Sequence, residues 1–464
     1  MASLSDLLQP DRGEPARSLH LTDKDRFEDW LKTQPDRVRA AVAAQRFKGK
    51  AVELAILPGD KADDWSVVLG VAKIDELSSW CLAKAAERLP AGTYRLAGDR
   101  APGVAALGWL LAQYRFTRYK ADEDAEGPRV LLTSEPARID ETVRVAAAVA
   151  LVRDLVNTPA ADMGPAALEA AAAETAKAFG ATLTVTAGKD LAAGYPMIAA
   201  VGRAAAPHHA PRLIELEWGD PAHPRVALVG KGVCFDSGGL DIKPASGMAL
   251  MKKDMGGAAH TLALARLVMD SRLPVRLHVL IPAVENAVDA DAFRPGDILR
   301  SRKGLTVEIG NTDAEGRLIL ADALAKAAEA KPELILDFAT LTGAARVALG
   351  PDLPALFAND DALADGLLGA GTGTDDPVWR LPLHGPYAEM LKSEIADINN
   401  AGEGGMAGAV TAALFLQKFV PDGIAWAHFD TFAWRPSAKP GRPKGGDALG
   451  LRAAWRHLES RYRP

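Results

Sequence analysis

Residues 305–325 read Leu-Thr-Val-Glu-Ile-Gly-Asn-Thr-Asp-Ala-Glu-Gly-Arg-Leu-Ile-Leu-Ala-Asp-Ala-Leu-Ala. The β-branched start predicts a strand over 305–309, and the apolar spacing from 318 onward predicts a helix. The polar segment 311–317 would therefore lie at the carboxyl edge of a sheet, where α/β enzymes place their chemistry. On an extended backbone, Asp313 and Glu315 would point to the same side. With Arg317 close by, the pattern indicates either a cation site or an acid–base pair.

The surrounding C-terminal part alternates between strand-like and helix-like segments. Apolar runs predict strands over 225–229, 275–281, 333–338 and 424–429, and helical patterns cover 258–269 and 409–419. Near-continuous apolar strands separated by helices are typical of a mostly parallel sheet covered on both faces.

The first third of the chain predicts a smaller α/β unit, with strands over 51–57, 66–72 and 129–133 and a helix over 104–112. A further helix is predicted from about 140 to 155, because Pro159 prevents its continuation. A chain of 464 residues is also too long for one ordinary core. We therefore predict a two-domain α/β protein, with a small N-terminal domain (1–137), a linking helix and turn (138–160) and a larger domain (161–464).

Composition narrows the class of protein. The formal net charge of −6 gives no general attraction to nucleic acid or to anionic membranes. Two cysteines are too few for a disulfide framework, which fits a reducing cytoplasm. The first ten residues lack the features of a signal peptide, and no apolar run is long enough to span a bilayer. We expect a cytoplasmic protein without a membrane partner, and the charge disfavours a nucleic-acid partner.

Four segments of the larger domain carry polar residues where strands are expected to end or turn. Several common motifs fail at these segments. The residues around Lys231 lack the glycine and hydroxyl positions of a phosphate-binding loop. Phe235 occupies the position where a dinucleotide fingerprint or a nucleophile elbow needs glycine. None of the nine histidines falls in the four segments, so a histidine-based zinc site is not predicted. The remaining candidates are, in chain order, Lys231, Asp236, Lys243, Asp254, Asp313, Glu315 and Arg317.

Charge favours metal ions at such a site. Four carboxylates in a partly buried cleft would raise one another's pKa until some became protonated, whereas two divalent cations would cancel the charge. Carboxylates that bridge two metals roughly 3.5–4 Å apart form a recognised hydrolytic arrangement. Lys231 would then be either a nearby cation or a neutral amine ligand. The ligand types suit zinc, manganese, cobalt or magnesium. We expect zinc or manganese first.

The motif series resembles that of the leucyl (cytosol) aminopeptidase family of dinuclear-metal aminopeptidases in both order and spacing. The resemblance covers about residues 140–464, whereas residues 1–137 match only by position and alternating pattern. The motifs that carry it are Gly230-Lys-Gly, Phe235-Asp-Ser-Gly-Gly, Asp254-Met-Gly-Gly-Ala-Ala259, Arg294-Pro-Gly-Asp-Ile298, Asn311-Thr-Asp-Ala-Glu-Gly-Arg317, Ala339-Thr-Leu-Thr-Gly343 and Trp426-Ala-His428.

The resemblance implies a hydrolase that cleaves the N-terminal peptide bond of short peptides through a hydroxide activated by two metal ions. Lys243 would polarise the scissile carbonyl, and Arg317 would hold a bicarbonate that acts as general base. The resemblance also implies a homohexamer with the active sites facing an interior cavity. The implied ligands are Lys231, Asp236, Asp254 and Glu315 for a tighter ion, and Asp236, Asp313 and Glu315 for a more exchangeable one.

The implied pocket for the N-terminal side chain is lined by Met251, Thr340, Leu341 and Gly343. Downstream, Phe432 and Trp434 would reshape this pocket if they face it, and Arg435 could favour an acidic group; packing roles are equally compatible with the sequence. Two alternatives to the aminopeptidase remain open at this point. One is a non-catalytic regulatory or DNA-binding protein on the same scaffold, and the other is a related metallo-amidase that acts on small amides.

Overall fold

A computed structural model describes residues 3–61, 63–98, 100–121 and 126–463. The chain divides into two compact units, Met1–Ala150 with Ser437–Lys444, and Leu151–Pro436 with Gly445–Pro464. The division falls inside a helix, Ile139–Asn157, which covers the predicted linking helix. The exact domain boundaries stay a prediction.

The N-terminal unit is built on a six-stranded sheet in the order β1-β6-β5-β2-β4-β3. All neighbouring pairs are parallel except β3 with β4, which places an antiparallel strand at one edge. Its strands are β1 (Leu8–Pro10), β2 (Arg17–Thr22), β3 (Leu54–Pro58), β4 (Trp65–Gly70), β5 (Gly92–Leu96) and β6 (Arg129–Thr133). Its helices are α1 (Phe27–Lys32), α2 (Asp36–Ala44), α3 (Ala83–Arg88) and α4 (Ala106–Leu111), and α5 (Ile139–Asn157) follows.

The C-terminal unit is built on a nine-stranded mixed sheet. Its path is β16-β15-β18-β14-β9-β11-β8-β7, and β10 pairs with β11. Its strands are β7 (Thr182–Ala187), β8 (Arg212–Trp218), β9 (Arg225–Gly230), β10 (Gly232–Asp236), β11 (Arg276–Asn286), β14 (Leu334–Ala339), β15 (Ala355–Ala358), β16 (Trp379–Arg380) and β18 (Ala425–Asp430). One small sheet contains β12 (Ile298–Arg300), β13 (Thr306–Glu308) and β17 (Ile398–Asn399). A second small sheet contains β19 (Trp434–Arg435) and β20 (Gly445–Gly446).

Helices cover this sheet. They are α6 (Pro165–Phe179), α7 (Gly188–Gly194), α8 (Pro196–Gly202), α9 (Ala245–Met248), α10 (Gly256–Asp270), α11 (Glu315–Glu329), α12 (Gly343–Leu349), α13 (Asp361–Gly373), α14 (Gly408–Gln417) and α15 (Leu451–Tyr462). Among the described residues, no helix combines the length and apolarity needed to cross a bilayer.

The centre of the sheet is buried on both faces. Adjacent positions of β9, such as Leu228 and Val229, are both fully buried although they point in opposite directions. Helices α10 and α11 both contact β9 and β14. On α11, Leu318, Ile319 and Leu324 are fully buried, and each such side chain contributes about 1.5–3 kcal/mol by leaving water. This packing fixes the N-terminal ends of both helices, next to which the predicted site residues lie.

The close approach of α10 to the sheet requires glycine. A Cβ atom at Gly257 would lie 2.1 Å from the carbonyl oxygen of Phe338 at the end of β14. Any larger residue would push the helix away from the strand, so the glycines of the Asp254-Met-Gly-Gly motif act through packing. The predicted two-domain α/β fold, with a mostly parallel and helix-flanked C-terminal sheet, is confirmed.

Candidate metal centre and substrate cavity

The predicted site residues lie at the ends of neighbouring strands in the C-terminal unit. Lys231 follows β9, Asp236 ends β10 and Thr340 follows β14. Glu315 is the first residue of α11, and Asp254 lies in the 3-10 turn just before α10. Because β9, β10, β11 and β14 pair in parallel, their carboxyl ends bring these segments to one edge of the sheet.

The buried ammonium group of Lys231 connects two of the carboxylates. Its Nζ lies 2.7 Å from Asp254 Oδ2 and 2.9 Å from Glu315 Oε1. It also donates to the main-chain carbonyl of Thr340 at 3.3 Å. All three charged side chains are at most 3% exposed. Charges this far from water need partners of opposite sign, so the three side chains fix one another's positions.

A second ammonium group, that of Lys243, lies between Asp236 and Asp313. Its Nζ is 2.8 Å from Asp236 Oδ2, and it also pairs with Asp313 Oδ1. The other oxygen of Asp236 accepts a hydrogen bond from Asn286 Nδ2 at 2.9 Å. One carboxylate oxygen from each of Asp236, Asp313 and Glu315 lies within 4.8 Å of the others. Side chains from two separate segments of the chain therefore converge on one point.

A strand-end carboxylate, Asp430, organises the loop that follows β14. Its Oδ1 accepts hydrogen bonds from the backbone N–H groups of Leu341 at 3.0 Å and Thr342 at 3.1 Å. Its Oδ2 accepts from the Thr342 hydroxyl at 2.6 Å. In the same loop, Thr340 Oγ1 donates to Asp254 Oδ1 at 2.7 Å. The predicted substrate-binding loop is thus tied both to a strand end and to the carboxylate cluster.

The close packing of charged groups in the cluster raises the pKa of some carboxyl groups and lowers that of another. Burial and repulsion from Asp236 raise the pKa of Glu315 to about 8 and that of Asp313 to about 6. Burial alone would also raise the pKa of Asp254, but nearby ammonium groups, chiefly that of Lys231, lower this pKa to about 2. For Lys231, the attraction of three carboxylates outweighs burial and raises the pKa.

The residues present fit divalent cations. Glu315 Oε2 is buried and has no hydrogen-bond partner among the described residues. When all four carboxylates are ionised, as metal ligands must be, they exceed by one the three lysine ammonium groups that they contact within the described residues. Hard divalent cations prefer such oxygen ligands and would satisfy both the spare oxygen and the excess charge.

A cavity of about 470 Å³ opens beside the cluster. Glu315 lies behind the cavity wall, where it contacts Lys231. All the other predicted site residues line the cavity: Lys231, Asp236, Lys243, Met251, Asp254, Asp313, Arg317, Thr340, Leu341 and Gly343.

Arg317 presents an unusual guanidinium group at this cavity. Its side chain is buried, and neither Nε nor Nη1 has a hydrogen-bond partner in the part of the chain that the structure describes. Burial lowers the pKa of Arg317 to about 10. A buried guanidinium with unused donors is suited to holding a small planar anion.

The local backbone differs from the prediction around Asp313. Strand β13 belongs to a small sheet with β12 and β17 and is not part of the main sheet. Residues 311–314 form a turn instead of an extended segment, in which the N–H of Asp313 donates to Asn311 Oδ1 at 2.7 Å. Asp313 and Glu315 therefore converge through a turn followed by a helix start, because local side-chain hydrogen bonds override the β pattern.

The side chains of residues 432–435, which follow Trp426-Ala-His428, have two different roles. Phe432 lines the cavity, whereas Trp434 is only 8% exposed and is not part of the cavity wall. Arg435 is buried and its Nε lies 2.8 Å from Asp447 Oδ2, while another nitrogen pairs with Asp352. The structure thus favours packing roles for Trp434 and Arg435 and a pocket role for Phe432.

The sequence analysis missed three residues that the structure brings to the cluster, namely Asn286, Asp430 and Lys253. Asn286 and Asp430 are the last residues of β11 and β18, so their strand-end positions could have identified them. Lys253 directly precedes Asp254, and its Nζ lies 3.3 Å from Asp254 Oδ1. Only the three-dimensional structure distinguishes it from Lys252.

Two protein-family models match the chain. Residues 150–454 match the catalytic domain of the cytosol aminopeptidase family, and residues 18–131 match the N-terminal domain of M17 aminopeptidases. Together the two models cover most of both structural units.

Individual relatives agree with the models. A probable cytosol aminopeptidase of Roseiflexus castenholzii is 45% identical over 362 residues, which are 74% of this chain and 73% of the relative. A probable cytosol aminopeptidase of Chlorobium limicola is 38% identical over 456 residues, 89% of this chain and 90% of the relative.

Solved structures are similar over almost the whole chain. The crystal structure of a cytosol aminopeptidase from Coxiella burnetii shares 48% identity with a TM-score of 0.93, covering 99% of this chain and 100% of that one. The bottromycin maturation enzyme BotP in complex with Mn shares 32% identity with a TM-score of 0.85, covering 97% of this chain and 100% of that one.

The fold, the carboxylate-lined cavity and these similarities define a metal-dependent aminopeptidase, a hydrolase of the metallo-exopeptidase class. Within that class, the chain belongs to the cytosol aminopeptidase family. The similarities do not favour the non-catalytic or metallo-amidase alternatives.

Proposed function

We propose that this chain binds two divalent metal ions and hydrolyses the N-terminal peptide bond of short peptides. The observation that carries the proposal is the convergence of Asp236, Asp313 and Glu315 oxygens within 4.8 Å, with the Lys231–Asp254 pair alongside. The proposed ligands are Lys231, Asp236, Asp254, Asp313 and Glu315. Manganese is the first metal to test because a structural relative is in complex with Mn, and zinc is the second.

When bound, the ions would polarise the scissile carbonyl and acidify a water molecule. Residues of the chain itself would stabilise developing charge, bind the bicarbonate and position the peptide. Lys243 Nζ faces the cavity and would place positive charge where negative charge develops on the carbonyl oxygen. The free N–H donors of Arg317 would hold a bicarbonate ion beside the reacting bond. Asp430 keeps the 340–342 loop in a fixed position, so that a bound peptide meets a preformed wall.

Hydrolysis of leucyl-p-nitroanilide in the presence of Mn²⁺ or Zn²⁺ tests the proposal. We expect turnover of this substrate and none of its N-acetylated form, because the proposed site needs a free amine. Replacing Glu315→Gln should lower kcat/KM at least roughly 100-fold, because it removes one of the carboxylates that would hold the metal ions. The matched control is Glu217→Gln on the exposed part of β8, which should leave kcat/KM unchanged. Full activity of Glu315→Gln would contradict the assigned site.

The proposed assembly rests on the family resemblance, and the proposed location rests on the names of the relatives. We propose a homohexamer and a cytosolic location, the latter because the relatives are named cytosol aminopeptidases. Light scattering should give a mass six times that of the 48.9-kDa chain. A monomer at micromolar concentration would contradict the proposed assembly without affecting the assigned metal site.

A further inference from the structure

One wall of the cavity carries positive charge that the proposed mechanism does not use. It consists of Lys253, Phe432 and Arg346, all of which line the cavity, and we call it the cationic wall. Lys253 Nζ lies 5.7 Å from the centre of the Phe432 ring, and the guanidinium carbon of Arg346 lies 4.8 Å from the same point. Two cations therefore share one aromatic ring.

The inner cation, Lys253, is incompletely partnered. Its side chain is 5% exposed, and its one hydrogen bond within the described residues is the 3.3 Å contact from Nζ to Asp254 Oδ1. A lysine ammonium has three N–H donors, so two are unused. Burial keeps this ammonium group away from water, and the contact with Asp254 replaces only part of its hydration. An incoming carboxylate would supply both the missing hydrogen bonds and the opposite charge.

The outer cation, Arg346, lies on the exposed face of α12. In the described ranges its guanidinium forms no ion pair and no side-chain hydrogen bond, and it stacks on the ring of Phe432. Cation–π contact of this kind orients a guanidinium without neutralising it. Arg346 is therefore held at the cavity with its charge available.

Among the described residues, Asp254 is the one cavity carboxylate that contacts either cation, through its 3.3 Å contact with Lys253. Asp430 accepts hydrogen bonds from the 341–342 loop, and Asp236 and Asp313 pair with Lys243. Arg435, the cation that the sequence offered for acidic selectivity, is already paired with Asp447. Selectivity for negative charge thus rests on Lys253 and Arg346.

We propose that the cationic wall selects peptides whose N-terminal residue is glutamate or aspartate. The inference rests on the proposed function, in which the substrate amine lies at the carboxylate cluster. Lys253 adjoins that cluster through Asp254, so the side chain of the first residue is the part of the peptide within its reach. The side-chain carboxylate would receive charge-assisted hydrogen bonds from Lys253 Nζ, with Arg346 as the outer contact. Glutamine has nearly the same shape and lacks the charge, so it is the matched comparison.

The test is the ratio of kcat/KM for glutamyl- and glutaminyl-p-nitroanilide on the metal-loaded enzyme. We expect a ratio of about 10 or more, from the strength of a hydrogen bond between charged groups. Lys253→Met should bring the ratio close to 1. The control is Lys252→Met, because Lys252 donates to Asn157 O at 2.5 Å, stacks on Trp434 and does not line the cavity. Using a ratio removes any general loss of metal or activity from the comparison.

A second variant, Arg346→Glu, acts at an exposed position where folding is not at risk. It should lower the ratio of kcat/KM for glutamyl- to that for glutaminyl-p-nitroanilide. It should also raise kcat/KM for lysyl-p-nitroanilide relative to that for norleucyl-p-nitroanilide. A wild-type ratio of 1 or less, or a ratio that Lys253→Met and Arg346→Glu leave unchanged, would overturn the inference while leaving the aminopeptidase intact. Absence of turnover on every aminoacyl substrate would instead overturn the proposed function.

Discussion

Metal binding should release a proton from Glu315, and the amount should depend on pH in a way that the structure specifies. The pKa of Glu315 is raised to about 8 and that of Asp313 to about 6, in both cases by burial and by Asp236. At pH 7 these values make the first group about 0.9 protonated and the second about 0.1 protonated. A metal ligand must be deprotonated, so loading the site at pH 7 releases about one proton from these two carboxyl groups.

Raising the pH should remove this release. At pH 9 the Glu315 carboxyl would be only about 0.1 protonated before metal is added. Isothermal titration calorimetry of Mn²⁺ into metal-free protein, repeated in buffers of different ionisation enthalpy, counts the released protons. We expect the wild-type value to fall by about 0.8–0.9 between pH 7 and pH 9.

Glu315→Gln isolates the contribution of this one carboxyl group. Protons released by groups that do not interact with Glu315 are common to both proteins and cancel when the variant's value is subtracted from that of the wild type. The difference at pH 7 should be about 0.9 proton, and at pH 9 it should be close to zero. The titration must reach saturation for both proteins. A difference of zero at pH 7 would mean that Glu315 is already ionised in the metal-free cluster, which refutes the argument from crowding.

Three further outcomes test other parts of the structure. Asp447→Ala removes the buried carboxylate that pairs with both Arg153 and Arg435 and should lower the free energy of unfolding by about 3–5 kcal/mol, measured by urea denaturation; a loss below about 1 kcal/mol would contradict the buried network. Gly316→Ala places a Cβ 2.6 Å from Lys231 Nζ and should weaken binding of one metal ion, measured by calorimetry. Asp430→Asn should lower kcat/KM roughly 10-fold with unchanged metal content by elemental analysis, because it loosens the 341–342 loop.

Much of the fold was predictable because buried strands have a strong local signal. The apolar runs at 225–229 and 333–338 correspond to β9 and β14 within one residue at each end. Both strands are covered on both faces and therefore consist almost entirely of apolar residues. The site residues were predictable for a related reason. Polar residues that directly follow such strands, as Lys231 follows β9, lie at the edge of the sheet where α/β proteins bind ligands, and the order of several such segments along the chain identified them as a site.

The prediction failed where long-range contacts determine the structure. The sequence of β13 resembles that of a strand in the main sheet. Its true partners, β12 and β17, are only three and two residues long, so their sequences are too short to predict this small sheet. Lys252 and Lys253 are neighbours in sequence, yet one faces Trp434 and the other lines the cavity. Asp430 could have been identified by its position at the end of β18, but its partners in the loop after β14 depend on how the two strands pack. Side-chain direction at such positions depends on tertiary packing.

The return of Ser437–Lys444 to the N-terminal unit has a consequence for how the protein is made. In that segment, the N–H of Gly441 donates to Glu87 Oε1, and the guanidinium of Arg442 lies 4.4 Å from the Trp80 ring centre. During translation the ribosome produces the first 150 residues long before this strip of chain exists. The N-terminal unit therefore lacks the contact between Arg442 and Trp80 until synthesis is almost finished. A fragment that stops at Ala150 should therefore aggregate more readily than the complete polypeptide.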